Sequence, residues 1–350
     1  MKNNKKITIY DVAQETNLSI ATVSRVINDK GGYSEKTKDI VNKAIEKLSF
    51  IPNSTAKTLA SNKSRIIGLV LFYGESGEPD NITPESYLIQ FLQGVIYVTT
   101  RNKYNVLLES RPDKLFSNEK TVLPKLYDGI IFSHLLQGTL DYVRSFIDLG
   151  FPTVYAGHKI PSDTTNHNIY GGYVEYKRET LDYLYKSGHR KIIVLEAYSH
   201  HRPSSNIQLL ADIIETFHNE NKLPYNTCQM IIYDFNMPNH LQKLIYDILN
   251  DADPPDAIFA DSENSAATIY GIAAQLGISI PDDLSVISTV HKRNIGASFQ
   301  PTLSTMYINA YEMGKHAAEL LLYYIENKDK RPVQEIPFEF IERNSIKTRK

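Results

Sequence analysis

Three side chains near the N-terminus have the types and spacing needed to read DNA bases. Arg25 can form a two-pronged hydrogen bond to O6 and N7 of guanine, the commonest specific contact in the major groove. Ile20 and Ala21 offer apolar contacts that suit thymine methyl groups. These three residues are therefore the candidate base-reading set.

Neighbouring polar side chains suit a second task, which is hydrogen bonding to phosphates. Contacts of this kind position a protein on the duplex without reading its sequence. The plain alternative for the hydroxyl residues is helix capping, and Ser19 can serve both purposes. The candidate positioning residues are Tyr10, Ser19, Thr22, Ser24 and Asn28.

Short helices must hold these side chains in place. Apolar spacing predicts a first helix over about 8–15, with Thr8 as its N-cap, and a second over about 20–28, capped by Ser19. A third helix begins at Ser34. Three helices with a very short connection between the first two form a helix-turn-helix unit. The predicted buried stripe of the third helix is Ile40, Val41, Ala44, Ile45 and Leu48.

The charge of the chain is unevenly distributed. The 350 residues carry a net charge of −2, which taken alone argues against a nucleic-acid binder. Residues 1–64, however, hold 11 Lys and Arg against 6 Asp and Glu, a net +5, so the remainder holds −7. A basic head on an acidic body predicts that the head alone meets phosphate.

The residues of this head follow a known pattern. ITIYDVAQETNLSIATVSRVIND (7–29) and YSEKTKDIVNKAIEKLSFIPNSTAKTLASNKSRIIGLV (33–70) closely resemble the lactose-repressor family of bacterial transcription regulators. The resemblance is strong over the head and moderate over the body. It implies that Ile20, Ala21 and Arg25 set operator preference. It also implies a homodimer on a pseudo-palindromic double-stranded operator, because one head reads only a half-site.

The segment after the third helix is a candidate hinge. Pro52 ends that helix by biasing Ile51 out of the helical region. Residues 54–61 have helical spacing but are too few to form a stable helix alone. The resemblance implies that this segment folds on DNA in the minor groove, where Leu59 wedges between base pairs. A linker leucine without a special role is the alternative. The hinge residues are Asn53, Ala56 and Leu59.

From Ser64 onward strands and helices alternate, which predicts parallel sheets covered by helices on both faces. The resemblance implies a periplasmic-binding-protein-like α/β body of two parallel-sheet subdomains, crossed by three strands, with an effector cleft between them. The expected divisions are a helix-turn-helix head (1–50), a hinge helix (51–64) and an effector-binding and dimerisation body (65–350). Within the body, the N-subdomain takes about 65–165 and 293–325, and the C-subdomain takes about 166–292 and 326–345.

The body departs from the family where an effector binds. The stretch 204–212 lacks the usual arginine, Ser262-Glu263 replaces an Asn-Asp pair, and residues 288–291 replace a Gly-aromatic-Asp-Asp run. A different ligand, or none, is therefore expected. Candidates follow from position near strand ends, and a structural role is the alternative for each. They are Tyr73, Tyr87, His134, His158, Glu263 and His291.

Other classes of protein lack support. The chain has no phosphate-binding G-x-x-x-x-G-K-[ST] loop, no G-x-S-x-G and no H-E-x-x-H, so we expect no enzyme, cofactor or metal. The single Cys228 cannot form an intrachain disulfide, and the N-terminus does not resemble a signal peptide, so a cytoplasmic location is expected.

The sequence thus predicts a DNA-binding transcription regulator, a repressor of a carbohydrate-utilisation operon that responds to a sugar-like small molecule. Two alternatives stay open. One is a cytoplasmic sugar-binding protein with a vestigial head, and the other is a DNA-binding regulator that needs no effector.

Overall fold

The structure is a computed structural model that describes residues 7–27, 31–50, 63–71, 85–109, 126–133, 139–157, 159, 167–198, 204–234, 237, 239–326 and 334–349. The chain divides into two compact units, residues 1–65 and 66–350. No helix in the described ranges is long and apolar enough to cross a membrane.

The head contains the predicted helices, within about one residue of the expected bounds: α1 (Ile9–Thr16), α2 (Ile20–Ile27) and α3 (Glu35–Leu48). Each helix contributes a fully buried valine to a small core: Val12, Val23 and Val41.

Two details of the head matter for its shape. Asn17 caps α1 in the left-handed conformation, at φ 54°, which makes the tight turn into α2 possible. The predicted stripe of α3 is wrong at Ile40, whose side chain is 42% exposed. The small core of the head buries Val41 and Ala44 of α3, and Ile45 and Leu48 pack against it, so Ile40 lies at the edge of the buried face.

The first sheet of the body is entirely parallel. Its spatial order is β11-β5-β4-β3-β1-β2. The strands are β1 (Ile66–Leu71), β2 (Asn105–Glu109), β3 (Gly129–Ser133), β4 (Thr153–Gly157), β5 (Asn168–Gly171) and β11 (Glu335–Ile336). Helices α4 (Glu85–Arg101), α5 (Thr139–Asp148) and α10 (Ala310–Glu326) belong to this subdomain.

The second sheet has the order β12-β10-β9-β8-β6-β7, with only the β10–β12 pair antiparallel. The strands are β6 (Ile192–Tyr198), β7 (Cys228–Asp234), β8 (Ala257–Ala260), β9 (Ser285–Val290), β10 (Ser304–Ile308) and β12 (Phe338–Ile341). Its helices are α6 (Tyr173–Lys186), α7 (Ser204–Asn221), α8 (His240–Leu249) and α9 (Glu263–Leu276).

The chain crosses between the sheets three times, and each crossing takes one residue. Gly172 connects β5 to α6, Asn309 connects β10 to α10, and Pro337 connects β11 to β12. The crossings lie later in the chain than the expected divisions at 165, 293 and 326. Strand β10, for example, pairs with β9 in the second sheet rather than joining the N-subdomain. Apolar runs identify strands but do not say which sheet each strand joins, so the sequence left these borders approximate.

Two helices of the first subdomain pack unusually closely. A Cβ on Gly94 of α4 would overlap the backbone carbonyl oxygen of Tyr311 in α10. A Cβ on Gly314 of α10 would likewise overlap the carbonyl oxygen of Phe91. The two glycines therefore let the backbones of α4 and α10 come into contact. This contact fixes the position of α4 in the first subdomain.

Candidate nucleic-acid interface and effector cleft

Helix α2 exposes the three predicted base-reading side chains. Ile20 is 42% exposed, and Ala21 and Arg25 are also exposed, whereas Val23 on the opposite face is fully buried. At 3.6 residues per turn the three lie within an arc of about 140°. The head therefore presents one apolar pair and one guanidinium on a single helix face. Their contact with bases stays a prediction.

The predicted positioning residues surround the start of α2. The Thr22 N–H donates to Ser19 Oγ at 3.1 Å, so Ser19 caps α2 as the alternative interpretation proposed. Tyr10 is 68% exposed on α1, and Ser24 is half-buried. These positions are compatible with phosphate contacts, which stay a prediction, and Asn28 lies outside the described residues.

Contacts within the head hold α2 in place. The Asp11 carboxylate accepts hydrogen bonds from the N–H and the hydroxyl of Thr8, each at 2.7 Å, which closes the start of α1. Lys47 of α3 forms an ion pair with Glu15 of α1 at 2.6 Å. Because both charges are partly exposed, this pair contributes little stability. The buried valines therefore fix the position of α2.

Several predicted residues lie outside the described part of the chain. They are the hinge residues Asn53, Ala56 and Leu59 and the effector candidates Tyr73, His134 and His158. Their predicted roles stay predictions.

The other three effector candidates converge where the carboxyl ends of the strands meet. Tyr87 lies in the first turn of α4, Glu263 opens α9 after β8, and His291 follows β9 directly. The rings of Tyr87 and His291 are edge to face, with centroids 5.0 Å apart. Residues of the two subdomains are thus in direct contact in this cleft.

A second contact joins the same elements. Ser86 Oγ, beside Tyr87 in α4, donates a hydrogen bond to Glu263 Oε1 at 2.5 Å. Sequence reasoning missed Ser86 as a site residue, because a serine at a helix start most often caps that helix. Together with the Tyr87–His291 contact, this hydrogen bond links the two subdomains across the cleft.

Tyr87 is held as a neutral phenol. Its side chain is 1% exposed and its ring stacks on Phe91 with centroids 5.7 Å apart. Burial raises the pKa of Tyr87 far above its ordinary value, and a hydrogen bond with Ser133 opposes this shift only in part. Tyr87 therefore contributes a neutral aromatic ring that contacts His291.

His291 is neutral near pH 7. Burial lowers the pKa of its imidazole below 6.5, although the charge of Glu263 and the carbonyl of Ile308 act in the opposite direction. The next position back, Val290, is fully buried in the core.

A buried ion pair that the sequence did not reveal lies in the second subdomain. Lys177 Nζ of α6 is 3.4 Å from Glu196 Oε2 near the end of β6, and the two side chains are 2% and 5% exposed. The ammonium also lies 4.5 Å from the ring centroid of Phe259. The sequence signal was Glu196 itself, a carboxylate that interrupts the apolar run of β6.

Asp261 places a further carboxylate at the same sheet edge. It follows β8 and accepts hydrogen bonds from the Tyr233 hydroxyl at 3.1 Å and from Ser265 Oγ at 2.5 Å. Both donors are neutral. In the described ranges, no group of three or more His, Cys, Asp or Glu side chains could hold a metal ion.

A helix-turn-helix head joined to two parallel sheets with a cleft between them defines a class of DNA-binding regulators with a ligand-binding-type body. A sequence model described as "Bacterial regulatory proteins, lacI family" matches residues 8–53, and one described as "Periplasmic binding protein-like domain" matches residues 181–346. The chain thus combines a lacI-family helix-turn-helix domain with a periplasmic-binding-protein-like domain.

Curated relatives align over nearly their full length. Catabolite control protein A of Priestia megaterium is 27% identical, with 92% of this chain and 93% of that protein aligned. The probable HTH-type transcriptional repressor ExuR of Bacillus subtilis is 28% identical (97% and 98% aligned). The ribose operon repressor of Lactococcus lactis is 26% identical (98% and 99% aligned). These homologues are transcription regulators rather than enzymes.

Solved structures share the fold. The lac repressor dimer bound to operator and the anti-inducer ONPF superposes with a TM-score of 0.79 at 19% identity, covering 98% of this chain and 100% of that chain. The transcriptional regulator CelR in complex with cellobiose gives 0.64 at 19% identity, with coverage of 97% and 99%. The predicted fold class is confirmed.

Proposed function

We propose that this protein is a cytoplasmic, sequence-specific DNA-binding transcription regulator that represses a carbohydrate-utilisation operon and responds to a small sugar-like effector. The observation that carries the proposal is the exposed face of α2, where Arg25 stands beside Ile20 and Ala21 in a lacI-family head. A guanidinium with two apolar neighbours can read a guanine next to thymines.

We assign a separate function to each of the three parts of the chain. Residues 1–50 bind the major groove, residues 51–64 form the hinge, and residues 65–350 bind the effector and dimerise. Effector binding would change the angle between the two sheets, and thereby operator affinity, because the ligand prefers one of two arrangements of the body.

The proposed homodimer is supported by exposed apolar side chains on the first subdomain. Ile89 and Ile96 are 55% and 44% exposed and, being seven residues apart, share one face of α4. Leu107 and Leu108 are 49% and 53% exposed on β2, the edge strand of the first sheet. A second copy of the chain would cover these side chains and would place two heads on a palindromic operator.

The proposed effector class draws on the relatives. One relative is named a ribose operon repressor, and a structural neighbour holds cellobiose. The cleft of this chain offers the aromatic edge of Tyr87 with the polar groups of Glu263 and His291, which suits a polyhydroxylated ligand.

The direct contacts across the cleft favour the second candidate function, a regulator that needs no effector. Ser86 already binds Glu263, and Tyr87 already meets His291. Operator affinity that stays constant across a panel of neutral, basic and acidic sugars would support this candidate over the first.

The test of DNA recognition is selection of bound sequences from a random DNA pool by the full chain. We expect a palindromic site. The Arg25→Ala variant should bind it about 10- to 100-fold more weakly and lose preference at one position of each half-site. Lys186→Ala, which removes an exposed cation from the body, is the control and should bind normally. Failure of the wild type to enrich any sequence would contradict the proposal.

A further inference from the structure

The carboxylate of Glu263 is only partly used by the protein. Its Oε1 accepts the hydrogen bond from Ser86 Oγ, whereas its Oε2 is buried and has no hydrogen-bond partner among the described residues. A buried acceptor without a donor is costly, and more so when it is charged. This oxygen therefore favours any ligand that brings a donor to it.

The neighbouring cations do not neutralise Glu263. His291, whose pKa is lowered by burial despite the opposing charge of Glu263, is neutral near pH 7. Lys177 is paired with Glu196 and buried. Beyond His291, Arg293 is paired with Glu339, and Lys292 is exposed.

Two further features oppose an anionic ligand. Asp261, two residues before Glu263, places a second carboxyl group at the same sheet edge, where it accepts hydrogen bonds from Tyr233 and Ser265. The start of α9 carries the partial positive charge of a helix N-terminus, which usually attracts anions. Here Glu263 itself occupies the first turn, so that attraction is already used.

A buried hydroxyl on the neighbouring strand indicates which chemical groups the rest of the ligand carries. Thr289, at the end of β9, is 4% exposed, and its Oγ1 has no hydrogen-bond partner in the described ranges. A buried hydroxyl can both donate to and accept from a ligand hydroxyl. A carboxylate that needs a donor and a hydroxyl that can do both thus lie at the ends of neighbouring strands.

We propose that the effector is a small polyhydroxylated compound with a positively charged amino group, which donates to Glu263 Oε2. The inference rests on the proposed function, because it takes this cleft to be the effector site. A charge-assisted hydrogen bond in a partly buried site is among the stronger polar contacts, and it distinguishes an amine from a hydroxyl.

The test uses two matched sugar series with the full-length protein. Glucosamine, glucose and glucuronate form one series, and galactosamine, galactose and galacturonate form the other. Binding is measured by thermal shift and by calorimetry. In at least one series we expect the amine to bind about 10- to 100-fold more tightly than the neutral sugar, and the uronate to bind most weakly.

Variants distinguish the carboxylate from general effects of charge. Glu263→Gln keeps the acceptor for Ser86 but removes the charge, so the preference for the amine should disappear. Glu215→Gln, at an exposed position of α7, is the matched control and should keep the preference. A preference that survives in Glu263→Gln would overturn the inference.

The remaining outcomes also separate the two proposals. Failure of both amines to bind more tightly than their neutral partners would overturn the inference. If operator selection succeeds in the same preparation, the proposed function stands without it. If operator selection fails while the amines bind, the inference about the cleft stands and the regulatory function does not.

Discussion

The ammonium of Lys177 and the carboxylate of Glu196 form an ion pair, 3.4 Å apart, inside the second subdomain. The Tyr173 hydroxyl also donates to Glu196 Oε2 at 3.4 Å, and the Phe259 ring lies against the ammonium. Removing two charges from water is costly, so the pair persists because each partner satisfies the other.

This arrangement predicts a strong asymmetry between single and double variants. Lys177→Met leaves Glu196 buried without its cation and should lower the free energy of unfolding by about 3–5 kcal/mol. Lys177→Met/Glu196→Leu removes both charges and should be close to wild type. Urea denaturation of both variants checks this. Equal losses in the two variants would show that packing, rather than charge, holds this part of the core.

Alanine substitutions at two glycines should have opposite effects on stability, because one glycine lies in the contact between α4 and α10 and the other has open space around it. Gly94→Ala places a Cβ against the backbone of Tyr311 and should destabilise the body by about 1–3 kcal/mol or more, since backbone cannot move aside cheaply. Gly271→Ala lies within α9 with nothing within 4 Å of the new Cβ, and it should stabilise by about 0.5–1 kcal/mol. Thermal unfolding of the two variants measures the difference, and a loss of similar size in both would contradict the close packing.

Because several histidines are buried and neutral, we expect the free energy of unfolding to fall in mild acid. Burial lowers the pKa of His189, His218 and His291 below the usual 6.5. The unfolded chain therefore binds more protons than the folded chain as the pH falls below 6.5. Between pH 6.5 and its folded-state pKa, each histidine should lower the free energy of unfolding by up to about 1.4 kcal/mol per pH unit.

Urea denaturation at pH 7.5, 6.5 and 5.5 measures this dependence. The His218→Gln variant, whose side-chain oxygen can still accept from the Cys228 N–H, should show a shallower loss. A free energy of unfolding that is constant from pH 7.5 to 5.5 would contradict the prediction.

Substitution of the hinge residue Leu59 should change the bend of the bound operator DNA. Leu59 lies outside the described residues, and the family resemblance implies that it wedges into the minor groove. Leu59→Ala should reduce both operator affinity, by about 10- to 100-fold, and the bend angle. Leu59→Met, which keeps the side-chain volume, should retain both. Gel-shift and bending assays measure them, and the wedge is excluded if alanine leaves affinity and bending unchanged.

The sequence predicted those parts of the fold that depend on local patterns. The bounds of α2 were within one residue, because Ser19 caps it and Val23 and Val26 repeat at helical spacing. The apolar run Ile192–Leu195 indicates only the first part of strand β6, which continues to Tyr198. The charge of Glu196 interrupts the apolar run, and its partner Lys177 lies in a different element, which no local pattern reveals.

The effector cleft could be predicted only in part. The rule that ligands meet at strand ends selected Tyr87, Glu263 and His291, and these three converge. Ser86 and Thr289 were missed as site residues, because serine and threonine are common at helix starts and in strands. Which hydroxyls remain without partners depends on side chains brought together by the whole fold.

The three one-residue crossings restrict how the two sheets can move. Strands β5 and β11 are neighbours on one side, β10 and β12 are neighbours on the other, and Gly171 packs against Ile308 between them. Sliding one sheet past the other would require Gly172, Asn309 and Pro337 to stretch together. Rotation about the line through them needs only a few backbone torsions. The three crossings therefore favour a hinge rotation between the two subdomains, and a ligand in the cleft would act on that rotation.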